Sequence, residues 1–271
     1  MSAQEALRAG RLDEALSQLQ QEVRRQPADA RLRIFLFQLL CVRGEWNRAL
    51  TQLNVAGELD AAALLMVQTY REALRCEVYR ADVFSGKRMP MAIGEPDAWL
   101  APLLQSLVVA AEGHAQSAFE LRQRAFEAAP STPGKLNGES FEWIADGDSR
   151  LGPCLELIIS GRYYWVPFHR IRSIDLEPPA DLRDFVWTPA QVNWANGGEA
   201  VALIPTRYPG TEAALDPALR LSRRTEWQEQ PEQTYFGLGQ RAFVTDNAET
   251  ALLDVRRIDI DPAGQAEPAA A

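Results

Sequence analysis

The sequence predicts an α+β fold, with a helical-repeat domain over residues 1–135, a β-rich domain, barrel-like or mixed, over 136–261 and a disordered tail over 262–271. Three observations carry this reading: a segment that recurs after 34 residues, a break in charge near residue 135, and a change from helical to strand-like apolar spacing beyond it. Gly10-Arg11-Leu12-Asp13-Glu14-Ala15-Leu16 and Gly44-Glu45-Trp46-Asn47-Arg48-Ala49-Leu50 are two versions of one segment, 34 residues apart. That period suits stacked helix-turn-helix units of the tetratricopeptide kind (TPR-like), because one helical hairpin cannot bury its own apolar face and must stack on a neighbour.

Each part of the unit has a physical reason. Gly10 and Gly44 suit a turn between helices, where a left-handed backbone costs glycine little. Leu12 or Trp46, two residues on, can plug the joint, and Ala15 and Ala49 let the two helices approach. Leu16, Leu19 and Val23 follow at helical spacing, and Pro27 closes the first unit. Gly113, Ala118 and Pro130 repeat Gly10, Ala15 and Pro27 at an offset of 103, one more than three periods of 34. Between the copies, residues 61–84 carry Leu64, Leu65, Val67, Leu74, Val78 and Val83 among charges, which fits an amphipathic pair or one long helix. Residues 85–96 hold two glycines and two prolines and read as an ordered loop along the helical stack, with Met and Ile side chains reaching the core.

At 271 residues, 46% hydrophobic and 24% charged, the chain can bury one or two cores. Residues 1–30 contain no signal-like apolar run, and the longest apolar stretch, around 100–111, is too short for a membrane span and is broken by Pro102 and Gln105. A cytoplasmic location without membrane insertion is therefore expected. Cys41, Cys76 and Cys154 are odd in number and scattered among apolar neighbours, which favours buried free thiols over disulfides or a metal site. Residues 1–135 hold 16 basic and 16 acidic side chains, whereas 136–271 hold 12 and 21, so the net charge of −9 sits in the second half. Such a domain gains no counterion-release affinity for nucleic acid, and no nucleic-acid partner is expected.

Beyond the turn formers of 131–138 the texture becomes strand-like. Residues 154–159, a Ser160-Gly161-Arg162 turn and residues 163–168 read as a hairpin, with a third strand over 170–176. Residues 190–195 and 199–205 flank Asn196-Gly197-Gly198, a pattern that supplies the positive φ angles of a tight connection. Segments around 240–245 and 252–260 can close the sheet.

Few residues suggest chemistry. Asp146-Gly147-Asp148-Ser149-Arg150 starts like a calcium loop, but Arg150 stands at a ligand position and Leu151 where glycine is required, which excludes an EF-hand. A carboxylate pair that caps a turn and pairs with Arg150 is the simpler reading; an enzymatic or effector-modifying site at Asp146, Asp148 and Arg150 is the rival class. His114 and His169 lack an accompanying nucleophile motif, and Gly197-Gly198 and Gly237-Leu238-Gly239 lack the context of phosphate or dinucleotide loops. No catalytic residue, metal or cofactor is expected. Trp143, Tyr163, Tyr164 and Trp165 form an aromatic group in which 163 and 165 share one strand face and 164 takes the other. One set can fill the core while the other covers a neighbouring domain or a partner.

The run Trp143-Ile144-Ala145-Asp146-Gly147-Asp148-Ser149-Arg150-Leu151-Gly152-Pro153, then Leu155-Glu156, then Gly161-Arg162-Tyr163-Tyr164-Trp165-Val166-Pro167-Phe168, resembles the ImpE family, also called SciE or TagJ. Glu177-Pro178-Pro179, Asp181-Leu182-Arg183-Asp184 and Ile204-Pro205-Thr206-Arg207-Tyr208 extend the resemblance, which covers nearly the whole chain. It implies a non-catalytic accessory protein of bacterial type VI secretion, associated with the small subunit of the contractile sheath and, through it, with the AAA+ unfoldase that disassembles the sheath. A helical-repeat surface is compatible with this, since it can hold an amphipathic helix by anchors at i, i+3, i+4 and i+7. Expected groove residues are Ile34 and Gln38 in the second unit and Leu103 and Leu107 in the third, with Tyr163, Tyr164 and Trp165 as the competing contact. A general helical-repeat scaffold or chaperone is the third class.

Overall fold

The computed structural model describes residues 2–261; the tail expected over 262–271 lies outside the described residues. The helices are α1 (Ala3–Arg8), α2 (Leu12–Arg25), α3 (Ala30–Val42), α4 (Trp46–Leu59), α5 (Leu64–Phe84), α6 (Leu100–Ala111), α7 (Ala115–Ala128) and, among the strands, the short α8 (Pro217–Arg220). The α1–α2, α3–α4 and α6–α7 pairs turn at Gly10, Gly44 and Gly113, whose φ angles of +76°, +73° and +87° would strain a residue bearing a Cβ. Ala15, Ala49 and Ala118 are buried. Ser2 and Glu5 form a capping box on α1, and the Asp29 carboxylate accepts the backbone N–H groups of Arg31 and Leu32 at the start of α3. Residues 61–84 form a single-turn 3₁₀ helix running into α5 rather than a hairpin; the sequence there holds no glycine or proline to break it.

The strands are β1 (Gly134–Leu136), β2 (Glu139–Phe141), β3 (Ile144–Asp146), β4 (Cys154–Ile159), β5 (Arg162–Pro167), β6 (Ile171–Leu176), β7 (Trp187–Trp194), β8 (Glu199–Pro205), β9 (Thr225–Gln230), β10 (Thr234–Gly239), β11 (Ala242–Thr245), β12 (Glu249–Ala251) and β13 (Arg257–Ile260). Eight of them form one antiparallel sheet in the order β2-β1-β13-β6-β7-β8-β4-β5. The sheet ends at β2 and β5, which do not pair with each other among the described residues, so it is an open antiparallel sheet and not a closed barrel. The expected closing segments divide between two sheets: β13 joins the large one, whereas β11 pairs with β12 and β3. The expected turn over 131–138 contains β1, and β9 and β10 form an unanticipated hairpin.

Alternation along β4 and β5 shows how the sheet meets the helices. Cys154, Ile158, Tyr163 and Trp165 join a core shared with α2 to α6, while Leu155, Leu157 and Val166 face a second core with Phe168, Ile174 and Ile258. The loop over 85–96 follows the helical stack at its start, where the Tyr79 hydroxyl of α5 donates to Met89 O at 2.6 Å and Gly86 sits against Leu107 and Ala111 of α6, and then leaves it for the sheet. Met91 pairs in parallel with Tyr164: its N–H donates to Tyr163 O at 3.3 Å and its carbonyl accepts from Trp165 N–H at 3.0 Å. The loop thus covers the outer edge of β5, an edge that would otherwise leave backbone groups unpaired. Arg170 fixes it by donating to Ile93 O at 2.5 Å and to Asp97 Oδ2 at 3.0 Å. Met89 and Met91 stay exposed, and Ile93 packs on the second core. The three cysteines are free and buried, and no helix among the described residues is long and apolar enough to cross a membrane.

Candidate functional site

Between the helices and the sheet lies a buried ionic network centred on Glu156. The alternation of β4 points this residue toward the helices with Cys154 and Ile158, so its charge must be met by partners from other elements. Arg80 of α5 donates from Nε to Oε1 at 2.5 Å and from Nη2 to Oε2 at 2.9 Å. Arg241, between β10 and β11, donates to Glu156 Oε2 and to Asp146 Oδ2, and the Tyr163 hydroxyl donates to Glu156 Oε1. Burial pulls the Glu156 carboxyl upward, but Arg80 and Arg241 outweigh it and hold its pKa at about 2. Asp146 moves the other way, pushed up by burial to about 6 against the pull of Arg241. Glu77, one turn before Arg80, is lifted by burial and accepts from Trp187 Nε1 at 2.8 Å.

The Asp146-to-Arg150 segment is part of this support. Asp146 Oδ1 accepts the Asp148 N–H at 2.9 Å and the Tyr208 hydroxyl at 3.1 Å. Asp148 Oδ1 accepts the Arg150 backbone N–H at 2.9 Å and its Nε at 2.8 Å; Oδ2 accepts Arg150 Nη2 at 2.5 Å and Gly237 N–H at 2.8 Å. The Arg150 guanidinium lies over the rings of Phe84 and Phe236, 4.8 Å and 4.1 Å from their centroids. Every carboxylate oxygen of the pair is thus engaged by the protein itself. This geometry orders a turn and ties it to the β9–β10 hairpin.

Partner binding requires surface, and the structure sorts the expected contact residues accordingly. Gln38, Leu103 and Leu107 are buried in the chain's own packing, and Ile34 is half-buried against the same core. Tyr163 and Trp165 are also buried, joined by a Trp165 Nε1 to Tyr163 Oη hydrogen bond of 2.6 Å, and only Tyr164 is half-exposed. Trp46 is half-buried and packs on Trp187 with ring centroids 6.1 Å apart. Pro167 ends β5 inside the molecule. His114 is exposed, and His169 lies 3.6 Å from Asp97.

The open face of the helices instead carries a furrow of about 360 Å³ across α2, α3 and α4. Val23, Leu36 and Leu40 form its apolar floor, and Arg24, Arg33 and Arg48 its rim. Arg33 is held by Pro27 O and Gln52 Oε1, and Arg48 by Glu45. Helical periodicity could have found this floor, since 36 and 40 are one turn apart; it could not show that the adjacent face is covered by the sheet.

Residues 138–259 match the model of a family described as ImpE protein. The type VI secretion system accessory component TagJ of Pseudomonas aeruginosa is 54% identical over 262 residues, covering 97% of this chain and 92% of the relative. The crystal structure of protein VPA1032 from Vibrio parahaemolyticus matches with a TM-score of 0.86 at 25% identity, covering 96% of this chain and 97% of that one.

Proposed function

This chain belongs to the ImpE family, and from that premise we propose that it is a non-catalytic accessory protein of a bacterial type VI secretion machine, acting by protein binding. The observation that carries the reading is the 54% identity to the TagJ component, sustained over almost the full length of both chains. In this reading the helical hairpins are TPR-like units, and residues 1–135 present a small-sheath-subunit helix to their furrow while the β-rich part braces them. The protein then links the cytoplasmic sheath to its disassembling AAA+ unfoldase. An apolar floor of Val23, Leu36 and Leu40 suits a helix with i, i+3, i+4 anchors, and the arginine rim suits acidic residues on that helix. The enzymatic alternative at Asp146, Asp148 and Arg150 is disfavoured by the internal engagement of both carboxylates.

The test is co-precipitation of the small sheath subunit by the full chain and by an Arg24→Glu/Thr51→Glu variant, two positions on the furrow rim outside the buried core. Capture by the parent chain and its loss in a variant of unchanged melting temperature support the reading. Equal capture by both removes the furrow from it.

A further inference from the structure

A second concavity, of about 530 Å³, opens where the end of α7 faces β3. Its walls carry Phe126, Pro130, Trp143, Pro153 and Val244. Phe126 and Trp143 are 37% and 41% exposed, which is unusual for two large rings bordering one hollow. The Phe126 ring occupies the space that a Cβ on Gly152 would fill, and Ser131 Oγ donates to Glu142 O at 2.9 Å to tie the two walls together.

The floor of this cavity is a sheet edge. β3 pairs with β11 on one side, and it is the terminal strand of its sheet. The Gly147 N–H donates to Ala242 O at 3.0 Å, which sets the phase of the ladder: Ala145 bonds to Val244, and residues 144 and 146 turn their backbone groups away from β11. The Asp146 N–H confirms that phase by donating outward to Gly152 O at 2.7 Å. The N–H and C=O of Ile144 therefore point away from β11, on the outer side of a strand that lines the cavity, in a residue 2% exposed in the chain alone.

Charge selects what could be added. The lining contains no lysine or arginine, and its one carboxylate, Asp146, is turned inward to Arg241. The C-terminal end of α7, with its negative dipole end, opens on the cavity, and Glu142 and Asp246 are exposed in the segments that border it, whereas Arg124 and Glu127 of α7 line a separate hollow beside Trp99 and Pro102. We propose that this cavity docks an extended peptide segment of a partner protein, apolar at its centre and flanked by lysine or arginine, that pairs with Ile144 across the free edge of β3. Backbone pairing supplies register, and Trp143 and Phe126 supply the apolar contact. This site is separate from the helical furrow and does not rest on the sheath reading.

The probe is a phage-displayed random dodecapeptide library selected on the full chain, followed by titration of the synthesised consensus peptide. The expected result is a consensus with alternating apolar residues and basic flanks. Its binding should weaken at least tenfold in Trp143→Ala and in Glu142→Lys/Asp246→Lys, with parent-like melting temperatures. The Ile144 amide should gain protection from hydrogen exchange on binding. A selection with no consensus, an amphipathic-helix consensus, binding unaffected by Trp143→Ala, or an Ile144 amide that exchanges equally with and without peptide each overturns the proposal.

Discussion

Arg80 on α5 grips Glu156 on β4 with two donors, at 2.5 Å and 2.9 Å, in a region where both side chains are sealed from water. The pair joins the helical half of the molecule to the sheet. Removing one partner of a buried pair leaves the other charge uncompensated, a loss of about 3–5 kcal/mol. Arg80→Met and Glu156→Gln should each lower unfolding free energy by that amount in urea titrations. Arg80→Lys should also destabilise, because a point charge cannot make the two-donor contact. Losses below about 1 kcal/mol for all three would show that the network is not a structural bond between the halves.

Stability should depend on pH with opposite signs in two windows. The folded Glu156 carboxyl sits at about 2, below its ordinary 4.5, so the stability it contributes is present above 4.5 and is lost as pH falls toward 2. Asp146 sits at about 6, above its ordinary 3.8, so the folded state takes up a proton first and gains stability as pH falls from 6 toward 4. Each effect is of order 3 kcal/mol. Urea midpoints measured from pH 7 to 3 should show the upper-window gain in the parent chain and a smaller one in Asp146→Asn, where Glu77, also lifted by burial, still contributes.

The α3–α4 turn is held from both sides. Ala49 is fully buried at the helix contact, and Arg207 donates to Cys41 O at 3.1 Å and Val42 O at 2.7 Å, the terminal carbonyls of α3. Ala49→Leu should cost roughly 1–3 kcal/mol through overpacking. Arg207→Met should cost roughly 2–4 kcal/mol by removing the donor to Val42 O and Arg220 O, while Cys41 O keeps the Gly44 N–H. Thermal unfolding of the two variants beside an exposed control such as Arg8→Met would measure both.

Gly152 sets the wall of the β3 cavity. Its φ is +52°, and a Cβ there would lie 2.3 Å from a Phe126 ring carbon. Gly152→Ala should therefore displace the ring and destabilise by roughly 1–3 kcal/mol. Gly152→Ala/Phe126→Ala should relieve the clash, leaving the backbone strain and the lost ring contact. A single variant as stable as the parent would contradict the described packing.

How much of this was legible in the sequence follows from where the signal is local. Gly10, Gly44 and Gly113 mark the helical turns because the backbone there is left-handed, and Ser160-Gly161 and Asn196-Gly197 mark hairpins for the same kind of reason. The β9–β10 hairpin is hard to read because Thr225–Gln230 is polar except for Trp227, and its turn places Glu232 and Gln233, not glycine, at φ of +62° and +51°. Gln38, Leu103 and Leu107 read as groove residues in the sequence because helical periodicity shows an apolar stripe but not what covers it, and the chain's own packing covers all three. The Glu156 network was hidden for want of proximity: Arg80 and Arg241 stand 76 and 85 positions away. One local clue existed, a lone carboxylate within the otherwise apolar Cys154–Ile159, which can be buried only with charged partners.

Calorimetric titration of the full chain with the purified small sheath subunit tests the central claim most directly. The account predicts saturable binding between micromolar and nanomolar, about −8 to −12 kcal/mol, with a negative heat-capacity change from apolar burial and at least tenfold weakening by Arg24→Glu/Thr51→Glu. The absence of any heat of binding at subunit concentrations of about 100 μM, with the folded state of both proteins verified, would contradict it.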